Sequence, residues 1–333
     1  MTNKTKCGSG IDYSTNMYHS LGMQVIKLVI QKNGEWMELI TPPNWDGVSI
    51  EYILKEVWQV PKGMLHQLRM DKKVRVDGEV HPFSRNLNKG EKLQILIFPK
   101  EEYGLLPSAA AIDILFEDDH LLIVNKPAGI DTHPNEPNQT NTLANRVAYY
   151  FSNKGIETKV RHIHRLDKDT TGAVLFAKND LAGAILDRLL EKREIKRTYL
   201  ALVEGRLKKQ RGTINEPIGR DRHHPTRRRV SVTGQEAVTN YEVLEYYSDN
   251  NTSLLKLQLQ TGRTHQIRVH LSYIGHPLIG DALYGGKNVG VSRQALHAAK
   301  ISLLHPITNE RITCSAPFID NPQIFSNEHN RYL

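Results

Sequence analysis

The alternation of apolar and polar positions along the chain predicts many short strands and few helices. MQVIKLVIQ (Met23–Gln31) alternates well enough for a strand. Ile50, Ile53, Leu54 and Val57 fall on one helical face, which Pro61 is expected to end. Met64, Leu65 and Leu68 suggest a second short helix, VRVDGEV a hairpin on its Asp-Gly turn, and EKLQILIF a further strand. EYGLLPSAAA reads as a linker. IDILFEDD and HLLIVNKP then form a strand pair, and the body from about residue 113 to 325 continues in short strands. One of these, with Val174, Leu175 and Phe176, follows the polar turn DKDTTG, where Gly172 is free to take a backbone conformation that other residues avoid. A helix from about Asp180 to Glu191 presents Ala182, Ile185, Leu186 and Leu189 on one face and would brace that strand from behind. Tyr199, Ala201 and Val203 share one face of a strand in TYLALV.

With 333 residues the chain has room for one large domain and a small one. No apolar run reaches the roughly 20 residues of a membrane helix, and MTNKTKCGSG lacks the apolar core of a signal peptide. A cytoplasmic protein, with monomer as the default state, is expected. Two cysteines exclude a disulfide framework and a four-thiolate zinc site. The 15 histidines are scattered, so no metal site is expected. Neither a Gly-x-Gly-x-x-Gly nor a Gly-Lys-Ser/Thr phosphate loop is present, so no nucleotide cofactor is expected either. The net charge of +8 points to a polyanionic partner. The surplus is concentrated between Lys192 and Arg229, where four acidic residues oppose 13 basic ones.

Two resemblances sharpen this picture. The helix–helix–hairpin–strand order over residues 47–98 resembles the S-four-type RNA-binding domain, with Asp77-Gly78 and Gly90-Glu91 where that family often has Asn-Gly and Gly-Asp. HRLDKDTTG resembles the His-Arg-Leu-Asp-x-x-Thr-Ser-Gly signature of the RluA-type pseudouridine synthases, with Thr171 in place of Ser. VNKPAGIDTHP, KRTYLALVEG, TGRTHQIRVHL, and the pair HPLIGDALYG and LHAAKISLLHP fit the same family in the same order. The resemblance implies an α+β protein whose mixed, largely antiparallel central sheet carries an active-site cleft, with a small N-terminal α+β RNA-binding domain. The expected organisation is a flexible tail over 1–22, the RNA-binding domain over 23–100, a linker over 101–112, the catalytic domain over 113–325 and a tail over 326–333.

Isomerising uridine to pseudouridine breaks the bond from ribose to uracil N1 and rejoins the base through carbon 5. The chemistry needs one ionised carboxylate beside the sugar, and Asp167 is the candidate, as nucleophile on C1′ or as base at C2′. The resemblance pairs it with Arg268, a cation expected to keep it anionic. It also assigns to Tyr199 stacking on uracil and removal of the carbon-5 proton. The target nucleotide must be extruded from its helix, and the resemblance suggests that Arg165 fills the gap. His164 and Thr170 are expected to shape the loop or touch the RNA backbone, and Lys126 to contact RNA. The partner is RNA, most naturally large-subunit ribosomal RNA, with transfer RNA as the other possibility. Two readings from other classes compete. One is a non-catalytic RNA-binding or ribosome-assembly protein on the same fold, which would not require Asp167, Tyr199 and Arg268 together. The other is a glycoside or nucleoside hydrolase, which usually wants two carboxylates at a set separation. Asp169 is the only close acid in the sequence, on a turn poorly suited to that role.

Overall fold

The computed structural model describes residues 28–333, and two sheets organise them. β1 (Ile30–Asn33), β2 (Trp36–Ile40), β3 (Val74–Val76) and β4 (Lys92–Leu96) form a small antiparallel sheet in the order β1-β2-β4-β3. The strand expected at Met23–Gln31 lies mostly outside the described residues, and the described ladder begins at Ile30. Ser49 caps α1 (Ile50–Tyr52) by accepting from the Tyr52 N–H, and the helical run continues to Val57 in a wider turn closed by Trp58 N–H on Ile53 O at 2.9 Å. Pro61 does not end this run; it opens the next helix, α2 (Lys62–Met70), where its missing N–H breaks no intrahelical bond. The Asp77-Gly78 turn is tight, with both residues at positive φ, but only Val76 and Glu79 bridge across it. β3 pairs instead along its length with β4.

The large sheet contains β5 (Asp113–Glu117), β6 (Leu121–Lys126), β7 (Arg161–His162), β8 (Thr171–Ala177), β9 (Lys196–Glu204) and β10 (Arg211–Asn215). β11 (Ile218–Arg220) and β12 (Arg228–Val230) form a separate ribbon, and β13 (Val238–Tyr247), β14 (Thr252–Leu259), β15 (Leu296–Leu304) and β16 (Arg311–Ser315) return to the sheet. Its main path is β10-β13-β14-β9-β15-β8-β6-β5, and every pairing is antiparallel except β8 with β15. The fold is therefore α+β with a mixed, largely antiparallel sheet, as the resemblance implies.

β8 shows why its sequence is a continuous apolar run. Ala173, Leu175 and Ala177 pack in one cluster with Leu181, Ile185 and Leu189 of α4 (Asp180–Glu191). Val174 and Phe176 pack in the opposite cluster with Val147 and Phe151 of α3 (Leu143–Asn153). A strand covered on both faces carries no polar alternation. Gly172, at φ +112°, lies so close to β15 that an added Cβ would sit 2.3 Å from Ala298 O.

The small sheet is not an independent bead. Its core residues, Met37, Leu93 and Ile95 among them, belong to the same hydrophobic cluster as the α4 face of the large sheet, together with Ile301 and Leu303 of β15. Trp58 fixes the junction: its buried indole N–H donates to Ile307 O at 3.2 Å, while Arg188 on α4 donates to Trp58 O at 3.1 Å. At the other end, residues 326–333 were expected as a tail. They instead form a short helical turn, Asn327–Tyr332, that buries His329 against the Tyr247 hydroxyl at 2.9 Å.

Because one hydrophobic cluster spans both sheets, heat should unfold them in one transition, which calorimetry reads directly. Trp58→Ala should cost about 3–5 kcal/mol in denaturant titrations. Deletion of residues 1–100 should lower the melting temperature of what remains, because it bares the α4 face; an unchanged melt would mean that the shared core contributes nothing.

Candidate active site

The site lies in a cleft of about 1080 Å³ whose lining includes Asp167, Tyr199 and Arg268. Three separate elements deliver these residues, and each is gripped locally.

Asp167 sits on the turn before β8, closed by Thr170 N–H on Asp167 O at 3.0 Å. The turn is held from two sides. On one side the Lys126 ammonium, at the end of β6, donates to Pro127 O at 2.9 Å, Ile130 O at 2.7 Å and Lys168 O at 2.8 Å. Lys126 is fully buried, and burial pulls its pKa down to about 7 against the opposing pull of Asp169, Asp167 and Asp131. The expected RNA contact is thus corrected: all three ammonium protons face backbone carbonyls, and nothing of the side chain reaches a ligand. On the other side Arg293, also buried, donates to Asp169 O at 3.2 Å, Leu296 O at 2.8 Å and the Thr171 hydroxyl at 2.8 Å. Asp320 neutralises it through two bonds of 2.8 and 2.6 Å.

Of the four residues expected to meet RNA, only Arg165 is exposed; its guanidinium makes no ion pair among the described residues. His164 is buried, accepts the Leu175 N–H on Nε2 at 3.3 Å, and is pushed down to about 3 by burial and by nearby Arg197. Thr170 is buried as well, with its hydroxyl 3.4 Å from the Gln294 amide. Both side chains are thus buried in the protein while bordering the cleft.

Tyr199 comes from β9, where the strand period buries it with Ala201 and Val203 in one cluster. Burial raises its hydroxyl pKa, the Asp167 charge acts in the same direction, and Arg197 opposes both.

Arg268 projects from the first turn of α5 (Gln266–Tyr273). His265, at φ +56°, makes the sharp entry into that helix. Gln266 locks the entry in place: its carbonyl accepts from Thr261 Oγ1 at 2.7 Å and Arg263 N–H at 2.9 Å, and its amide donates to Val238 O and Thr239 Oγ1, each at 3.0 Å. The expected ion pair is present, with Arg268 Nη1 3.2 Å from Asp167 Oδ2. A partner the sequence reading did not name is closer. Asp281 is buried and takes both Nε at 2.7 Å and Nη2 at 2.9 Å, and the Tyr284 ring lies under the guanidinium at 4.9 Å. Burial opposes the charge of Arg268, but Asp281 and Asp167 outweigh it and hold the group above its ordinary pKa. Asp281 and Tyr284 both lie in HPLIGDALYG, so the only signal available was an acid in a segment already matched to the family. Arg293 gave none beyond its position just before that family's last segment.

The cleft rim is basic, with Arg193, Arg197, Arg228 and Arg263 among its lining residues. Part of it comes from the β11–β12 ribbon, which Tyr284 steadies by accepting the Arg228 N–H at 2.9 Å.

Comparison with known proteins places the chain in a family. A family model described as RNA pseudouridylate synthase matches residues 120–273, and one described as the RluD ribosomal pseudouridine synthase N-terminal domain matches residues 37–93. The chain is 48% identical over 289 residues to an uncharacterized RNA pseudouridine synthase, YhcT, of Bacillus subtilis, covering 87% of this chain and 96% of that one. It is 38% identical over 302 residues to the ribosomal large subunit pseudouridine synthase D of Nitrosomonas europaea, covering 87% of each. Among solved structures, human RNA pseudouridylate synthase domain containing 1 superposes with a TM-score of 0.54 at 27% identity, covering 68% of this chain and 96% of that one. A cleft that gathers an acid, a buried tyrosine and a clamped arginine, on a chain with these relatives, has one explanation: the protein belongs to the RNA pseudouridylate synthase family and is an RNA pseudouridine synthase with an S4-like RNA-binding domain at its N-terminal end.

Proposed function

We infer that the protein converts uridine to pseudouridine in large-subunit ribosomal RNA, with Asp167 as the catalytic carboxylate. The choice of RNA follows the relatives named for the ribosomal large subunit. The same reading has it working as a monomer in the cytoplasm. For the location, the support is that no helix among the described residues is long and apolar enough to cross a membrane.

The observation that carries the role of Asp167 is its pairing with Arg268 at 3.2 Å inside the cleft that Tyr199 also lines. A flipped uridine would present its sugar to Asp167. Either route, attack on C1′ or proton removal from C2′, breaks the C1′–N1 bond and frees the base to turn. The base then joins C1′ through carbon 5, carbon 5 loses its proton, and N1 takes one up, so the reaction is redox neutral. Tyr199 is the candidate to stack on the base and to relay the carbon-5 proton. Arg165, exposed beside Asp167, is suited to fill the space left in the helix. A hydrolase would want a second carboxylate facing the sugar. Asp281, the other acid on Arg268, has both oxygens on that guanidinium and is 2% exposed.

The direct test is to map pseudouridines in ribosomal and transfer RNA from cells with and without the gene, and to incubate the pure protein with the mapped fragment. Loss of a pseudouridine from large-subunit RNA is expected; release of free uracil, or no product, would overturn the reading.

Asp167→Asn should lower turnover by about a thousandfold or more while RNA still binds in a filter assay. Normal product formation would remove Asp167 from the mechanism. Tyr199→Phe should bind RNA and stall after the base has rejoined, so carbon-5 tritium release lags; a wild-type rate would contradict this. Asp281→Asn weakens the clamp without touching substrate. It should lower kcat by about 10- to 100-fold with KM nearly unchanged, and a change confined to KM would count against a positioning role.

A further inference from the structure

Two imidazoles on the cleft wall take no part in the chemistry above. His133 lies on the loop after β6, and His162 ends β7. Their rings stack, with centroids 4.4 Å apart and planes 19° from parallel. Both line the cleft with Arg165 and Asp167, and both are half-buried. Among the described residues neither ring has a hydrogen-bond or ion-pair partner.

The structural histidines of this protein look different. His297 is fully buried, with Nδ1 2.7 Å from the Thr171 hydroxyl and Nε2 2.9 Å from Ala316 O. His270 is bonded at both nitrogens in the same way, to Thr239 Oγ1 at 2.8 Å and Glu216 O at 2.9 Å. A histidine pair kept for packing would be expected to look like these. The His133–His162 pair is instead aromatic surface left open in a polar cleft.

Its placement is rigid. Thr132 Oγ1 donates to Leu166 O and accepts from Leu166 N–H, both at 3.0 Å. This laces the loop carrying His133 to the segment carrying Arg165 and Asp167. Burial lowers both imidazole pKa values, that of His162 to about 4, and the Arg165 charge adds to the effect on each. Both shifts favour the uncharged ring, although Asp131 opposes the one on His133, and an uncharged ring loses little hydration when a base covers it.

Extruding one nucleotide leaves its chain neighbour without a stacking partner. Flat aromatic faces are what unstacked bases settle on, whatever the base, because each has a π-face. We propose that the His133–His162 pair is a stacking ledge for the nucleobase that adjoins the flipped uridine in the RNA strand. The inference rests on the cleft being the uridine site and adds to it a second, base-tolerant subsite.

The test uses the full chain and an RNA hairpin built around the uridine that mapping identifies. One probe carries 2-aminopurine on the 5′ side of that uridine and another on its 3′ side. Extrusion alone should brighten both probes, whereas stacking on the ledge should keep one of them quenched in the complex. His133→Ala and His162→Ala should abolish that quench and weaken binding by about tenfold, whereas His162→Phe should keep both. Unchanged quenching and affinity in alanine variants that melt like the wild type would overturn the proposal. If the alanine variants do not fold, wild-type protein and a hairpin with an abasic neighbour decide the matter. Binding about tenfold weaker supports the ledge, and unchanged affinity overturns it. Pseudouridine formation on the same hairpin is measured separately, so conversion without quenching of either probe rejects the ledge and leaves the enzymatic assignment intact.

Discussion

The structure depends on one buried guanidinium. Arg268 gives Nε and Nη2 to Asp281 and keeps Nη1 for Asp167. A cation taken out of water needs a partner that meets it with several short bonds, and the planar fork of arginine meets a carboxylate with two at once. Asp281 fills that need and fixes the direction of the fork. Asp167 can then be met by a cation that is already aligned. Were Asp167 the sole partner, Arg268 would have to be positioned by the group it serves.

The same logic governs the turn that bears Asp167. A short polar turn outside a buried strand would move if only its own single hydrogen bond held it. Here Lys126 and Arg293, both buried, donate to two of its backbone carbonyls, Lys168 O and Asp169 O. Backbone contacts of this kind restrain position without claiming the side chains, so Asp167 and Arg165 remain available to a ligand. Gly172 completes the arrangement by letting β8 approach β15 more closely than any side chain would allow. Among the described residues the only parallel pairing in the large sheet lies at that point, and it brings the turn beside the segment of Arg293.

The N-terminal unit joins this frame through its core rather than through a tether. Trp58 and the small sheet share one hydrophobic cluster with α4 and β8, and Arg188 of α4 donates to Trp58 O. An RNA-binding surface attached in this way keeps a constant orientation to the cleft. Arg193, Arg197, Arg228 and Arg263 line the cleft, and cations of this kind are what a phosphate backbone seeks.

Local pattern determined much of this protein. Period-two alternation marked strands, β8 among them, and the spacing of Ala182, Ile185, Leu186 and Leu189 marked the bracing helix. The signature around Asp167, together with the segments of Tyr199 and Arg268, pointed to one cleft because all three resemble segments of one enzyme family. Tertiary structure decided what pattern could not hold. Asp281 under Arg268, Arg293 on the turn, the burial of Lys126 and the stacking of His133 on His162 all depend on strand order and register. So does the core shared by the two sheets. A sequence window records which positions share a face of an element, since that is set by the element's own period. Which distant side chain satisfies a buried charge is set by how those elements are packed, and that appears only when the sheet has closed.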